Sequence, residues 1–154
     1  MQGYVARSQL PLQSSSGRHS PAESPDSTDG GLRPKNGAHR ASTILVVEDD
    51  ILTRMAAADH LRDCGYRVLE AADAEEARTL LRASEPIEVV FSDVNMPGMD
   101  GIRLAQWIAK EFPDVKVVLT SGDLRNAAAA QIATHFLAKP YDLDTLGRLI
   151  KTLL

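Results

Sequence analysis

Residues 44–50 read Ile-Leu-Val-Val-Glu-Asp-Asp, so that four apolar residues are followed at once by three acidic ones. A short apolar run without alternation is typical of a parallel strand that is buried on both of its faces. In residues 51–64 apolar side chains recur at helical spacing, with Ala57, Leu61 and Cys64 on one face. This stretch therefore predicts a strand, an acidic turn and an amphipathic helix, with Cys64 as a small buried side chain.

The same strand-and-helix unit recurs along the chain. Further strands are predicted at residues 66–71, 87–92, 115–120 and 135–138. Further helices are predicted at residues 101–112, 124–132 and 142–154, and one more begins at the N-cap residue Asp73, with Glu76 completing a capping box. Strands that alternate with helices over short connections predict an α/β fold. Its expected form is a flavodoxin-like, doubly wound, five-stranded parallel sheet in the order 2-1-3-4-5.

The first 41 residues differ in composition from the rest of the chain. Ser, Pro and Gly dominate them, and Leu32 is the only strongly apolar residue between Leu12 and Ile44. Such a segment cannot bury enough apolar surface to offset the entropy that it loses on ordering. The sequence therefore predicts a disordered tail at residues 1–41 and one folded domain at residues 42–154.

Composition and charge disfavour several classes of function. The formal net charge of −4 argues against a nucleic-acid binder, which normally presents a basic surface. No apolar run approaches the roughly 20 residues that cross a bilayer, and the N-terminus lacks the apolar core of a signal peptide. The single cysteine rules out an internal disulfide. We therefore expect a cytoplasmic protein that neither inserts into a membrane nor binds nucleic acid.

Acidic residues follow two neighbouring strands of the predicted sheet. Glu48, Asp49 and Asp50 come after the first strand and Asp93 after the third, where the strand order reverses and such folds bind ligands. Two carboxylates about 4 Å apart repel by roughly 4 kcal/mol at an effective dielectric constant of about 20. A hard divalent cation removes this cost, and an all-oxygen site selects Mg²⁺, Mn²⁺ or Ca²⁺ over Zn²⁺. Capping of the next helix would explain Asp49 or Asp50 instead, but it does not explain Asp93.

Two further polar residues end the remaining strands on the same edge. Thr120 ends the fourth strand and Lys139 ends the fifth. A lysine ammonium group at this place can bind a phosphoryl oxygen. Each residue alone is weak evidence, but acids, a hydroxyl group and a cation on one edge together predict a phosphoryl site.

Four segments of the chain carry a resemblance to a known family. Residues 44–50, 92–101, 118–122 and 136–141 read ILVVEDD, SDVNMPGMDG, VLTSG and FLAKPY. In order and spacing they resemble the signature blocks of response-regulator receiver domains, over about residues 42–154. The stretch between Thr120 and Lys139 is a few residues shorter than is usual in that family.

The resemblance implies a metal site and an acceptor. Asp93 resembles the phosphoryl-accepting aspartate of the family. Asp49 resembles the carboxylate that binds the metal directly, and Glu48 one that acts on it through water. Asn95 would offer its backbone carbonyl. The implied metal set is therefore Glu48, Asp49, Asp93 and Asn95, and the implied ion is Mg²⁺, with Mn²⁺ as the alternative.

The resemblance also implies the groups that handle the phosphoryl group. Thr120 and Lys139 resemble the hydroxyl and ammonium groups that contact it, so that Asp93, Thr120 and Lys139 form the implied catalytic set. Phe136 occupies the position of the switch aromatic, which would act together with Thr120.

Three classes of function are compatible with these residues. The favoured one is a single-domain response regulator that takes a phosphoryl group from a histidine kinase or histidine phosphotransfer protein and signals to a downstream protein. It would not be a dedicated enzyme, although Mg²⁺-dependent self-phosphorylation and autodephosphorylation are expected. The alternatives are a receiver-like docking module without phosphorylation, which has no need of the acidic set, and a hydrolase. Against the hydrolase, Asn95 stands where a proton-transferring acid would be expected.

Overall fold

The computed structural model describes residues 40–83, 86–123 and 133–154. All elements in these ranges belong to the compact unit Gly37–Leu154. In chain order they are β1 (Thr43–Val47), α1 (Ile51–Asp63), β2 (Arg67–Ala71), α2 (Ala74–Arg82), β3 (Val89–Asp93), α3 (Gly101–Glu111), β4 (Lys116–Ser121), β5 (His135–Ala138) and α4 (Leu143–Leu153). None of the helices in these ranges is long and apolar enough to span a bilayer.

The five strands form one parallel sheet in the order β2-β1-β3-β4-β5. This order confirms the predicted flavodoxin-like topology, with the strand order reversing between β1 and β3. The helix predicted at residues 124–132 lies outside the described residues.

The apolar run of β1 contributes to both cores of the domain. Leu45 and Val47 are fully buried in a cluster with residues of α2 and α3. Ile44 and Val46 are fully buried in a second cluster, with residues of α1 and α4. Successive side chains of a strand point to opposite faces, so a strand that is covered on both faces must be apolar at every position.

Each described helix begins after an aspartate that caps it. In all four cases the side chain accepts a hydrogen bond, at 2.7–2.8 Å, from the backbone N–H three residues further on. The capping residues are Asp50, Asp73, Asp100 and Asp142. At α2 Glu76 Oε2 also accepts a hydrogen bond, at 2.7 Å, from the backbone N–H of Ala72, which is one residue before the N-cap residue whose N–H a capping box engages. The predicted start of α2 is thereby confirmed, and Asp50 is accounted for by capping.

The predicted burial of Cys64 is wrong, because this residue is exposed. Helix α1 ends at Asp63, and its buried face ends with Leu61. Cys64 is therefore the C-cap residue. It lies beside Gly147 of α4, which has no side chain to cover it.

Candidate functional site

The polar residues predicted at the carboxyl edge of the sheet lie together in the structure. Glu48 follows β1, Asp93 is the last residue of β3, and Lys139 follows β5. Thr120 of β4 pairs with Asp93 in the parallel register. The strand order brings all four residues to the reversal point, where α/β sheets of this kind bind ligands.

Three carboxylates form a cluster at this edge. Oxygen atoms of Glu48, Asp49 and Asp93 all lie within 4.8 Å of one another. Glu48 and Asp93 are buried, whereas Asp49 is exposed at the mouth of the cluster. Among the described residues, no other group of three or more acidic, histidine or cysteine residues is gathered as tightly.

Lys139 joins two of these carboxylates. Its Nζ atom lies 3.0 Å from Glu48 Oε2 and 3.1 Å from Asp93 Oδ2. Burial acts to lower the pKa of Lys139, but the hydrogen bonds to Glu48 and Asp93 outweigh it and raise this pKa above its ordinary value. Burial raises the pKa of Glu48, and the hydrogen bond from Lys139 opposes that rise without cancelling it. The ammonium group therefore stays charged and holds the two buried carboxylates in place.

Two buried oxygen atoms at the same edge have no hydrogen-bond partner. They are Asp93 Oδ1 and Thr120 Oγ1. Leaving a buried polar group unpaired costs roughly 1–3 kcal/mol. A phosphoryl group bonded to Asp93 Oδ1 and hydrogen-bonded by the Thr120 hydroxyl group would engage both atoms, and a cation beside the carboxylates would offset their charge. The oxygen-only set therefore fits a hard divalent cation such as Mg²⁺ next to a phosphoryl group.

The backbone around Glu48 is held by residues that the sequence did not single out. Arg54 Nη1 donates to the carbonyl oxygen of Glu48 at 2.6 Å, and its Nε atom lies 3.6 Å from Glu70 of β2. The backbone N–H of Glu48 donates to the carbonyl of Ala71 at 3.1 Å. These contacts fix the turn that presents the first acid. The sequence does not single out Arg54, because its contact with Glu70 depends on where β2 lies in the folded sheet.

The side chain of Asn95 is hydrogen-bonded to the last residue of β4. Its Nδ2 atom donates to Ser121 Oγ at 3.2 Å, and the residue is exposed. Ser121 in turn accepts a hydrogen bond from the backbone N–H of Asp123 at 3.1 Å. Ser121 is buried and was missed by the sequence reasoning, since a serine at the end of a strand carries no motif of its own.

Two aromatic residues flank the site at β5. Phe136 is partly buried against the cluster of α2 and α3, and it pairs with Leu119 in the sheet register. Tyr141 packs edge-on against Phe91, with the ring centroids 5.7 Å apart. Burial raises the pKa of the Tyr141 hydroxyl group.

An apolar surface lies next to the acidic cluster. The first two turns of α1 expose three large side chains, Ile51 at 57%, Leu52 at 74% and Met55 at 47%. The same helix lines a cavity of about 520 Å³, whose walls are Thr53, Ala56, Lys139, Pro140, Tyr141 and Leu143. Exposed apolar patches of this kind are typical of protein contact surfaces.

Comparison with solved structures gives close relatives of the fold. The chain matches response regulator protein TrrA of Thermotoga maritima, solved in complex with Mg²⁺ and BeF, with a TM-score of 0.68 and 29% identity over 73% of this chain and 99% of that one. It matches the chemotaxis response regulator CheY4 of Vibrio cholerae with a TM-score of 0.69 and 27% identity, over 74% of this chain and 99% of that one.

Among curated proteins the matches are to segments of longer chains. Sensor kinase CckA of Brucella abortus is 35% identical over 74% of this chain and 13% of its own length. Transcriptional regulatory protein PdtaR of Mycobacterium tuberculosis is 38% identical over 67% of this chain and 52% of its own length. The chain thus spans between about an eighth and a half of these curated relatives.

The family itself is settled by the match to a family model. Residues 44–151 fit the family model of the response regulator receiver domain, and this range contains all five strands except the first residue of β1. The fold, the strand order and the acidic edge agree with that assignment. The protein therefore belongs to the response regulator receiver domain family, whose members act in two-component signalling.

Proposed function

We propose that this receiver domain accepts a phosphoryl group on Asp93 from a histidine kinase or a histidine phosphotransfer protein. The proposal rests on the two buried, unpartnered oxygens, Asp93 Oδ1 and Thr120 Oγ1, beside the Lys139 ammonium group. A nucleophile, a hydrogen-bond donor and a positive charge are what a transferring phosphoryl group requires.

Asp93 acts as the nucleophile in its ionised form. Lys139 holds Oδ2 at 3.1 Å, whereas Oδ1 has no hydrogen-bond partner and is the oxygen that attacks phosphorus. As the bond from Oδ1 to phosphorus forms, the phosphorus–nitrogen bond of the donor breaks, and the departing imidazole takes its electron pair. Asp93 is only 6% exposed, so the reacting atoms are shielded from bulk water.

Lys139 and Thr120 stabilise the charge on the transferring group. Lys139 is already hydrogen-bonded to Asp93, so a small movement of its Nζ atom exchanges a carboxylate oxygen for a phosphoryl oxygen. The Thr120 hydroxyl group then donates to a second phosphoryl oxygen, which gives this buried group the partner that it lacks.

The residues that would hold Mg²⁺ are Asp49 and Asp93 directly, Glu48 through water, and Asn95 through its backbone carbonyl. When bound there, Mg²⁺ would neutralise the negative charge that develops on the phosphoryl oxygens. The side chain of Asn95 cannot transfer a proton, so loss of the phosphoryl group is left to water. The domain would therefore phosphorylate and dephosphorylate itself without being a dedicated enzyme.

The exposed apolar surface of α1 supports a protein as the phosphoryl donor. Ile51, Leu52 and Met55 lie in the helix that begins directly after the acidic turn. A partner that covers them would bring its phosphohistidine to Asp93 and would exclude water from the reaction. The exposed apolar surface thus supports the docking of a donor protein at this helix.

The signal would leave the site through β4 and β5. When Thr120 turns to the phosphoryl group, it changes the packing of its neighbours in the sheet. Phe136 pairs with Leu119, the residue before Thr120, and its ring is only partly buried, so it can follow that movement. The altered surface would be read by a downstream protein target.

Replacement of the acceptor tests the proposal. Incubated with acetyl phosphate and Mg²⁺, the wild-type chain should gain one acid-labile phosphoryl mass by intact mass spectrometry, and Asp93→Asn should gain none. Asp50→Asn is the matched control, because Asp50 lies in the same acidic turn but only caps α1, which asparagine also does. Undiminished labelling of Asp93→Asn would refute the assignment.

Metal dependence tests the carboxylate cluster separately. A ligand that binds only the folded state stabilises it by mass action. Millimolar Mg²⁺ should therefore raise the melting temperature of the wild-type chain, and Asp49→Ala should lose most of that rise. Differential scanning calorimetry with and without Mg²⁺ measures both. An equal rise in Asp49→Ala would show that the ion binds elsewhere.

A further inference from the structure

A second group of metal-ligating side chains lies at the far end of α1. His60 and Cys64 are four residues apart and share one side of the helix end, with His60 Nε2 and Cys64 Sγ only 3.7 Å apart. This pair is separated from the acidic turn by most of α1, which at 1.5 Å per residue is roughly 18 Å long. It is therefore distinct from the site of Asp93.

A carboxylate that could complete the group as its third ligand lies on the neighbouring helix, although the three ligand atoms are not all gathered within 4.8 Å of one another, as those of the acidic cluster are. Asp144 of α4 places Oδ1 at 3.9 Å from His60 Nε2, and its side chain is 80% exposed, so it can turn without disturbing the core. The three residues share a cavity of about 420 Å³, together with Tyr66, Gly147, Arg148 and Lys151. The guanidinium group of Arg148 donates a hydrogen bond to Thr145 Oγ1 at 2.8 Å.

Gly147 leaves the space that an ion would occupy. A Cβ atom at this position would stand 3.0 Å from His60 Nε2 and 3.4 Å from Cys64 Sγ. A side chain at this position would therefore press on His60 Nε2 and lie in contact with Cys64 Sγ. Because Gly147 has no side chain, His60 Nε2 and Cys64 Sγ stay accessible to a metal ion that could bind both of them.

The spacing and the chemistry of these atoms suit a thiophilic divalent ion. Zn²⁺ binds histidine nitrogen at about 2.0–2.1 Å and thiolate sulfur at about 2.3 Å, so a tetrahedral centre sets the two ligands about 3.6 Å apart. Nitrogen, sulfur and carboxylate ligands favour Zn²⁺ over Mg²⁺. Cys64 caps the C-terminus of α1, where the helix dipole stabilises a positive charge.

We propose that His60, Cys64 and Asp144 form a binding site for Zn²⁺ or a similar transition metal, which joins α1 to α4. On binding, the Cys64 thiol loses its proton to solvent and the sulfur donates an electron pair to the metal. His60 Nε2 donates its lone pair, and Asp144 donates a carboxylate oxygen. The thiolate and the carboxylate together balance the double charge of the ion.

Cobalt provides a spectroscopic test in the full-length chain. Co²⁺ bound to a thiolate gives a near-ultraviolet charge-transfer band, and Cys64 is the only cysteine, so the band reports on this residue alone. The titration is done with Mg²⁺ in excess, which keeps Co²⁺ from the acidic cluster. We expect one equivalent of Co²⁺ to produce the band and Zn²⁺ to displace it.

Variants decide whether the site is built as described. Cys64→Ser should abolish the band, and His60→Gln and Gly147→Ala should each weaken Co²⁺ binding by roughly tenfold or more. Asp49→Asn, in the acidic cluster, should leave the titration unchanged. Circular dichroism checks that each variant is folded, and should Gly147→Ala fail to fold, His60→Gln decides alone. No band in the wild-type chain, or unaltered affinity in His60→Gln, would overturn the proposal.

Discussion

Gly101 lies directly against the backbone of Asp93. A Cβ atom at Gly101 would stand 2.1 Å from the carbonyl oxygen of Asp93 and 2.9 Å from its carbonyl carbon. Both neighbours are backbone atoms, so the overlap cannot be relieved by a change of rotamer. We expect Gly101→Ala to destabilise the domain by about 1–3 kcal/mol, as over-packing of a core does, and to displace Asp93. Urea unfolding measures the loss of stability.

Gly122 provides the control for this substitution. It follows the end of β4 on the same edge of the sheet, but an added Cβ would meet only the Cβ of Lys139, at 4.0 Å. Gly122→Ala should therefore unfold at nearly the wild-type urea concentration. Equal losses in the two variants would mean that the effect comes from the removal of a glycine and not from overlap with Asp93.

Single residues differ in how well the sequence predicts them. The positions of Glu48, Asp93 and Lys139 were predictable because each stands at the carboxyl end of a parallel strand, and these ends share one edge. The ion pairs of Lys139 with Glu48 and Asp93 were not predictable. They depend on which charged side chains come together across the folded sheet. The exposure of Cys64 depends on Gly147, which is 83 positions away in the chain.

At the scale of elements, Asp73 fixes the start of α2. Its Oδ1 atom accepts a hydrogen bond from the backbone N–H of Glu76 at 2.8 Å. Asp73→Ala should cost about 1 kcal/mol of stability, which is typical for loss of an N-cap. Asp73→Ser restores an acceptor and should recover most of that loss. Thermal unfolding of the wild-type chain and of the two variants measures these differences in stability. Identical stabilities of the alanine and serine variants would contradict the capping role of Asp73.

The elements themselves follow from local patterns, but their contacts do not. The apolar run of β1 and the acidic caps predicted where strands and helices begin to within about two residues. The surroundings of Trp107 on α3 were not predictable. Arg78 and Arg82 of α2 lie over its ring at 4.8 and 5.2 Å, because the packing of α2 beside α3 brings these two helix faces together.

At the scale of the whole molecule, the described core lies entirely within residues 43–153. A chain that begins at Arg40 retains every strand, every described helix and both apolar clusters. We expect it to melt at the same temperature as the full-length chain and to take up phosphoryl groups from acetyl phosphate to the same extent. Calorimetry and intact mass spectrometry measure these properties. A clear fall in either would give residues 1–39 a structural role.

The topology could be predicted because few arrangements satisfy the alternation of strands and helices. Short connections force right-handed crossovers, and two covered faces force the central strands to be apolar throughout. The helix predicted at residues 124–132 lies outside the described residues and stays a prediction, which the sequence pattern supports less strongly. Residues 126–131 contain four consecutive alanines and no apolar periodicity, so no face of a helix is marked for burial.

The direct pairing of Thr120 with Asp93 sets a limit on insertions and deletions. Side chains alternate between the two faces of a strand, so one residue added to β4 before Thr120 would turn its hydroxyl group to the other face of the sheet. A second added residue would restore the face but would carry Thr120 past Asp93 by about 6.6 Å. Strand β4 can therefore vary in its residues but not in its length, whereas a change of length after Ser121 leaves the pairing intact. Over evolutionary time, insertions in this chain should accumulate in the connections and be absent from β3 and β4.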